Sequence, residues 1–222
     1  MKKNIAIGAA SLALAATPVV GVFATTQTSV VTDVLSASIS SACTFLRYGA
    51  AGDAAQVDTT TGDVAPAWTG PTTAGTADND TTASPAVPPY HTYSATFKPG
   101  MDVELGTSTF TGYCNDAAGF TVTVVTPDLA TATSPAKTLP FITTAPSTTT
   151  SEGWTLFKDK AGTPTQFTNQ TGDTDFMKAT GPTDSSNAVT ETATYTVYTK
   201  TDTKSGTYTG NVVYTFTYDD PS

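Results

Sequence analysis

The sequence predicts an all-β protein: an antiparallel β-sandwich of about seven to nine strands, interrupted by one long low-complexity insertion. Three observations carry this. From Ser205 to Tyr218, even positions put Tyr208, Gly210, Val212, Tyr214, Phe216 and Tyr218 on one side, and odd positions put mostly threonine on the other. Successive strand side chains point to opposite faces, so an aromatic face this long needs a second sheet to cover it. Short alternating runs recur along the chain between turn-forming clusters, and no stretch beyond residue 24 has helical periodicity. The abundance of threonine and valine agrees, because β-branched side chains fit a pleated surface.

Residues 1–24 stand apart from the fold. Lys2 and Lys3 precede an apolar run from Ile5 to Ala16, Pro18 breaks it, and Val22-Phe23-Ala24 offers a cleavage site. This reads as a secretory signal, too short to be a membrane anchor, with residues 25–222 as a single exported domain and no membrane span after cleavage. Taking Lys2 and Lys3 from the 10 basic residues leaves 8 against 19 acidic ones, a net charge of about −11. Scattered negative charge of this size disfavours nucleic acid and anionic membrane surfaces as partners. Two cysteines, Cys43 and Cys114, in an exported chain favour one disulfide over a reactive thiol.

In chain order, Thr25 to Asp33 is a polar lead containing Val30 and Val31. Leu35 to Phe45 then alternates, with Cys43 on the inward face. Residues 49–89 are dominated by Ala, Gly, Thr, Asp and Pro and read as a flexible insertion, with Trp68 able to pin it to the body. Tyr93 to Phe97, then Val103 with Leu105, then Phe110 to Cys114, and Phe120 to Val124 read as strands. The turn Asn115 to Gly119 makes the last two a hairpin. Leu139 and Phe141 suggest a short edge strand, and Gly153 to Phe157 a buried one. Thr163 to Asn187 is polar, with Phe167 and Phe176 as anchors. Thr192 to Thr199 and the C-terminal run read as a second hairpin.

Little in the chain points to catalysis or to a cofactor. His91 is the only histidine and follows Pro88-Pro89-Tyr90, a loop edge, and no serine-elbow motif is present. Asp102 and Glu104 share a strand face, as paired hydrolytic carboxylates would, but apolar 103 and 105 make that face the outer, solvated one. Asp78-Asn-Asp80 and Asp173-Thr-Asp175 alternate oxygen ligands, yet neither continues into a calcium loop. Asn79-Asp-Thr81 and Asn169-Gln-Thr171 satisfy the glycosylation triplet. Trp68, Tyr113 and Tyr198 are the aromatics whose positions suit an exposed, ligand-facing role, since aromatic faces stack on sugars.

Leu35 to Phe45, Phe110 to Val124 and Tyr195 to Tyr218 together resemble the spore-coat-protein-U-like secreted pilin domains, and are similar to small surface β-sandwich proteins of Patescibacteria-type bacteria. The resemblance covers about a third of the mature chain. It implies an Ig-like or pilin-like sandwich, pairing of an early-strand cysteine with a later one, and strand donation from an N-terminal extension, which here falls at Thr25 to Asp33. The expected role is a secreted, non-enzymatic surface protein, structural or adhesive, whose partners are like subunits or host and cell-surface polymers. The alternative is a stand-alone extracellular carbohydrate- or protein-binding module.

Overall fold

The first strand, β1 (Cys43–Ala51), pairs along its whole length with β5 (Asp102–Cys114), from Cys43 opposite Cys114 to Ala51 opposite Gly106. The computed structural model describes residues 42–70, 72, 78–79, 92–143, 152–159, 164–167 and 171–218, all within the unit Ile39–Ser222. Around the central pair lies a six-stranded sheet. Its order is β10 (Pro164–Gln166), β9 (Gly153–Asp159), β12 (Val189–Tyr198), β5, β1 and β3 (Asp78–Asn79). A three-stranded sheet runs β11 (Thr171–Ala179), β6 (Phe120–Val125), β14 (Val213–Tyr218). Smaller sheets join β13 (Tyr208–Thr209), β7 (Leu129–Thr131) and β8 (Thr138–Leu139), and β2 (Val64–Thr69) with β4 (Thr92–Thr96). Among the described residues every strand ladder is antiparallel, and one parallel bridge joins Phe141 to Trp154. The protein is therefore all-β among its described residues, apart from two short 3-10 turns at Ala54–Gln56 and Thr59–Thr61.

The core lies between the six- and three-stranded sheets. Phe110 on β5 meets Phe176 on β11 edge-on at 5.4 Å and Tyr214 on β14 at 4.3 Å, while Phe45 stacks on Phe216 at 5.1 Å. Val122, Val124, Leu156, Ala193 and Met177 fill the gaps. Nine strands of five or more residues build this layout. The Cys43–Cys114 disulfide is present, joining directly opposed residues with Cα atoms 4.1 Å apart and 71 residues of chain between them. Cys43 shares the inward face with buried Phe45, as its position in the alternation requires.

Several expected elements take a different form. Within the insertion expected at 49–89, β1 continues to Ala51 and β2 occupies Val64–Thr69. Pro66 is buried and Trp68 stacks on Tyr93, giving that stretch apolar anchors which its overall composition hides. Val103 to Cys114 is one strand and not two. A bulge at Leu105 lets Val103, Gly106, Ser108 and Phe110 all face inward. The turn Asn115 to Gly119 does not close a hairpin; it carries the chain from one sheet to the other. Asn115 Oδ1 accepts from the Ala42 amide, Asp116 Oδ1 accepts from the Ala118 amide, and the Cys114 amide donates to Thr183 Oγ1, so side chains serve three backbone amides at the crossing. Likewise β12 and β14 lie in opposite sheets and meet across the core, where the Tyr195 and Tyr214 hydroxyls are 2.9 Å apart. Thr163 to Asn187 holds β10 and β11. Residues 1–41, which include the signal, Thr25 to Asp33 and most of Leu35 to Phe45, lie outside the described residues.

Candidate functional site

The widest sheet among the described residues, the six-stranded one, presents an outer face. Inward positions of β12 take Glu191, Ala193, Tyr195 and Val197, so Thr190, Thr192, Thr194 and Thr196 face outward. Register sets Thr190 opposite Thr111, Thr192 opposite Thr109 and Thr194 opposite Thr107. The Thr111 and Thr190 hydroxyls are 3.3 Å apart, one rung of this ladder. Tyr48 and Leu46 on β1 border it on one side, opposite Thr109 and Thr111. On the other side Phe157 of β9 lies opposite Thr194. Hydroxyls in two neighbouring rows with aromatic flanks can hydrogen-bond and make flat apolar contact at once.

Two of the three aromatics singled out from the sequence belong to this face. Tyr113, opposite Thr44, and Tyr198, opposite Asp102, are both half-buried at its two ends. Some eleven residues of strand separate them, about 35 Å, so they cannot grip one small ligand together. Trp68 lies elsewhere: it packs on Tyr93 at 4.4 Å, where the β2–β4 sheet meets β1. Asp102 and Glu104 point outward, opposite Tyr198 and Thr196, as the alternation required. Burial raises both carboxyl pKa values, with Asp53 adding to the rise at Glu104, and burial followed by the Asp102 charge raises the Tyr198 phenol. His91, Asp80 and Asn169 lie outside the described residues, as do the side chains of Asp78, Asn79 and Asp173.

A second cluster, not anticipated from the sequence, sits beneath β2 and β4. Arg47, the only arginine in the chain, is on the inward face of β1 with Cys43 and Phe45. Its guanidinium lies 5.4 Å from the Trp68 ring centre and 5.7 Å from that of Phe110, and its Nε donates to buried Ser108 Oγ at 3.2 Å. Tyr93 Oη donates to the Thr107 carbonyl, which leaves Ser108 to donate to Tyr93 over 2.7 Å. Burial pushes the Tyr93 phenol far above its ordinary value, with neighbouring Tyr195 adding to the rise. Continuing the alternation from Cys43 and Phe45 by one step would have exposed Arg47 as an inward cation. Glu191, also inward, is paired with Lys158 at 3.5 Å, and Lys158 in turn lies over the Phe176 ring. These contacts tie neighbouring strands together across the inward face.

Among the described residues no three histidines, cysteines or carboxylates come together as metal ligands, and no helix is long and apolar enough to cross a membrane. The disulfide is consistent with an oxidising extracellular or periplasmic location. Comparison with family models, with curated proteins and with solved structures returns no match.

Proposed function

We propose that the chain is a secreted, non-enzymatic cell-surface protein, an Ig-like or pilin-like β-sandwich that serves as a structural or adhesive subunit. The observation that carries this reading is the outer face of the six-stranded sheet, broad and lined with hydroxyls and tyrosines, on a scaffold whose inward polar groups are committed to packing. Such a face offers many weak contacts over a large area, which suits polymers and like subunits better than a small substrate. The disulfide between the two central strands suits a scaffold that must persist outside the cell. Electron microscopy of the purified protein and of native cell surfaces tests the proposal. Filaments or a regular coat are expected, labelled by an antibody to this chain. Dispersed single particles and an unlabelled surface would count against it.

A further inference from the structure

We propose that β14 is where two copies of this chain join, edge to edge, an inference that rests on the subunit reading above and gives that subunit its partner. The four edges of the two packed sheets supply the first argument. An edge strand offers unpaired backbone N–H and C=O groups to any other strand, and proteins ordinarily blunt it with shortness, proline, charge or a bulge. Of the described strands, β3 has two residues, and β10 has three and opens with Pro164. β11 carries the charged pair Lys178 and Asp175, and its ladder with β6 shifts register twice. β14 has none of these devices. Val213 to Tyr218 holds neither proline nor charge, it pairs residue for residue with β6, and among the described residues nothing is bonded along its other side. Exposure is the second argument. Four large hydrophobic side chains are exposed among the described residues: Val213 and Tyr218 are on β14, Val125 is opposite Val213 on β6, and only Val64 lies elsewhere.

Charge names the occupant. The chain carries a net −9, so two copies approach most easily where neither presents a charged strand, and β14 meets that condition with itself. Identical edges meet about a twofold axis, which makes the two strands antiparallel. The Asp219-Asp220 pairs that follow β14 then fall at opposite ends of the joint, and Thr215 and Phe216 lie at its middle. Backbone hydrogen bonds between the strands supply the affinity, as in other strand additions, and two three-stranded sheets become one of six. Val213 and Thr215 both stand exposed on the outward side of β14, so a charge placed there comes close to its own twin across the axis.

Sedimentation equilibrium of the purified protein from about 10 µM to 1 mM, with amide hydrogen exchange over the same range, tests this. The mass is expected to rise towards twice that of one chain, and exchange along β14 to slow in step with the fraction paired. Val213→Lys with Thr215→Lys should weaken the association about tenfold or more, because like charges are brought together at the joint. Thr190→Lys, exposed on the six-stranded sheet, should leave it unchanged while adding the same sign of charge elsewhere. A single-chain mass at every concentration overturns the inference, and so does equal weakening by Thr190→Lys. Protection of the β14 amides that is the same at every concentration also overturns it, since a segment of the same chain would then hold the edge. Filaments or a coat that form unaltered from the doubly substituted protein overturn it too, while leaving the subunit reading in place.

Discussion

Arg47 shows what a single side chain can decide in this molecule. A cation on an inward strand face is costly unless its charge is balanced, and here two aromatic rings and a buried hydroxyl do the balancing. Lysine keeps the charge but loses the flat stacking surface and the fixed Nε–H. Arg47→Lys should therefore lower stability by about 1–2 kcal/mol, read as a lower urea midpoint. An unchanged midpoint would mean that the rings, and not the cation, hold β2 and β4 in place. Gly49 makes the complementary point. A Cβ there would sit 2.6 Å from Tyr93 Oη, 2.7 Å from the Thr107 carbonyl oxygen and 2.8 Å from the Trp68 ring. Gly49→Ala should cost about 1–3 kcal/mol by displacing the Tyr93 and Trp68 rings and crowding the Thr107 carbonyl, with a visible change in near-ultraviolet circular dichroism. A spectrum and midpoint matching the unsubstituted protein would show that β2 and β4 are free to shift.

At the scale of elements, the disulfide fastens the two central strands where they are already paired. Crosslinking residues 71 apart restricts the unfolded chain, an effect on the order of 4 kcal/mol in the loop-entropy account. Replacing Cys43 and Cys114 together with serine should lower the unfolding free energy by about that much, with a lowered thermal midpoint as the simplest readout. Little change would place the restriction elsewhere, in a denatured state already held together by β1–β5 contacts. The strands themselves were legible in the sequence wherever alternation was clean: β6, β9 and β12 appear close to where their patterns put them. What the sequence hid was partnership. An Asn/Asp/Gly turn looks the same whether it closes a hairpin or carries the chain between sheets. The choice is made by distant groups, Ala42 and Thr183 at one crossing, whose positions no local pattern reveals. Composition also concealed β2, since one tryptophan and one buried proline anchor a stretch otherwise rich in small and polar residues. The hydroxyl face was half legible: Tyr113 and Tyr198 were visible as outward aromatics, but their membership of one face depended on the register of β5 against β12.

For the whole molecule, the distribution of carboxylates implies tolerance of mild acid. Asp102 and Glu104 have raised pKa values because burial disfavours their charge. Ionising them therefore costs stability at neutral pH, and that cost disappears as pH falls through their folded-state pKa values. Asp58 works in the opposite sense. Its hydrogen bond with Lys98, joined by those from Thr60, holds its carboxyl down to about 2. Its contribution is present above its ordinary value of 3.8 and is lost as pH drops from there towards 2. Asp184, lowered chiefly by its hydrogen bond with Ser186, follows the same course. Self-repulsion among the 19 acidic residues also fades as the isoelectric point near 4.3 is approached. With His91 the only histidine, no group of imidazoles opposes this trend by charging on the way down. The denaturant midpoint at pH 4.5 should thus equal or exceed that at pH 7, then fall below pH 4, and Asp58→Asn should flatten the fall. A steady loss from pH 7 to pH 4.5 would show that carboxylates stabilised by their charge outweigh Asp102 and Glu104, and that the fold is built for neutral surroundings.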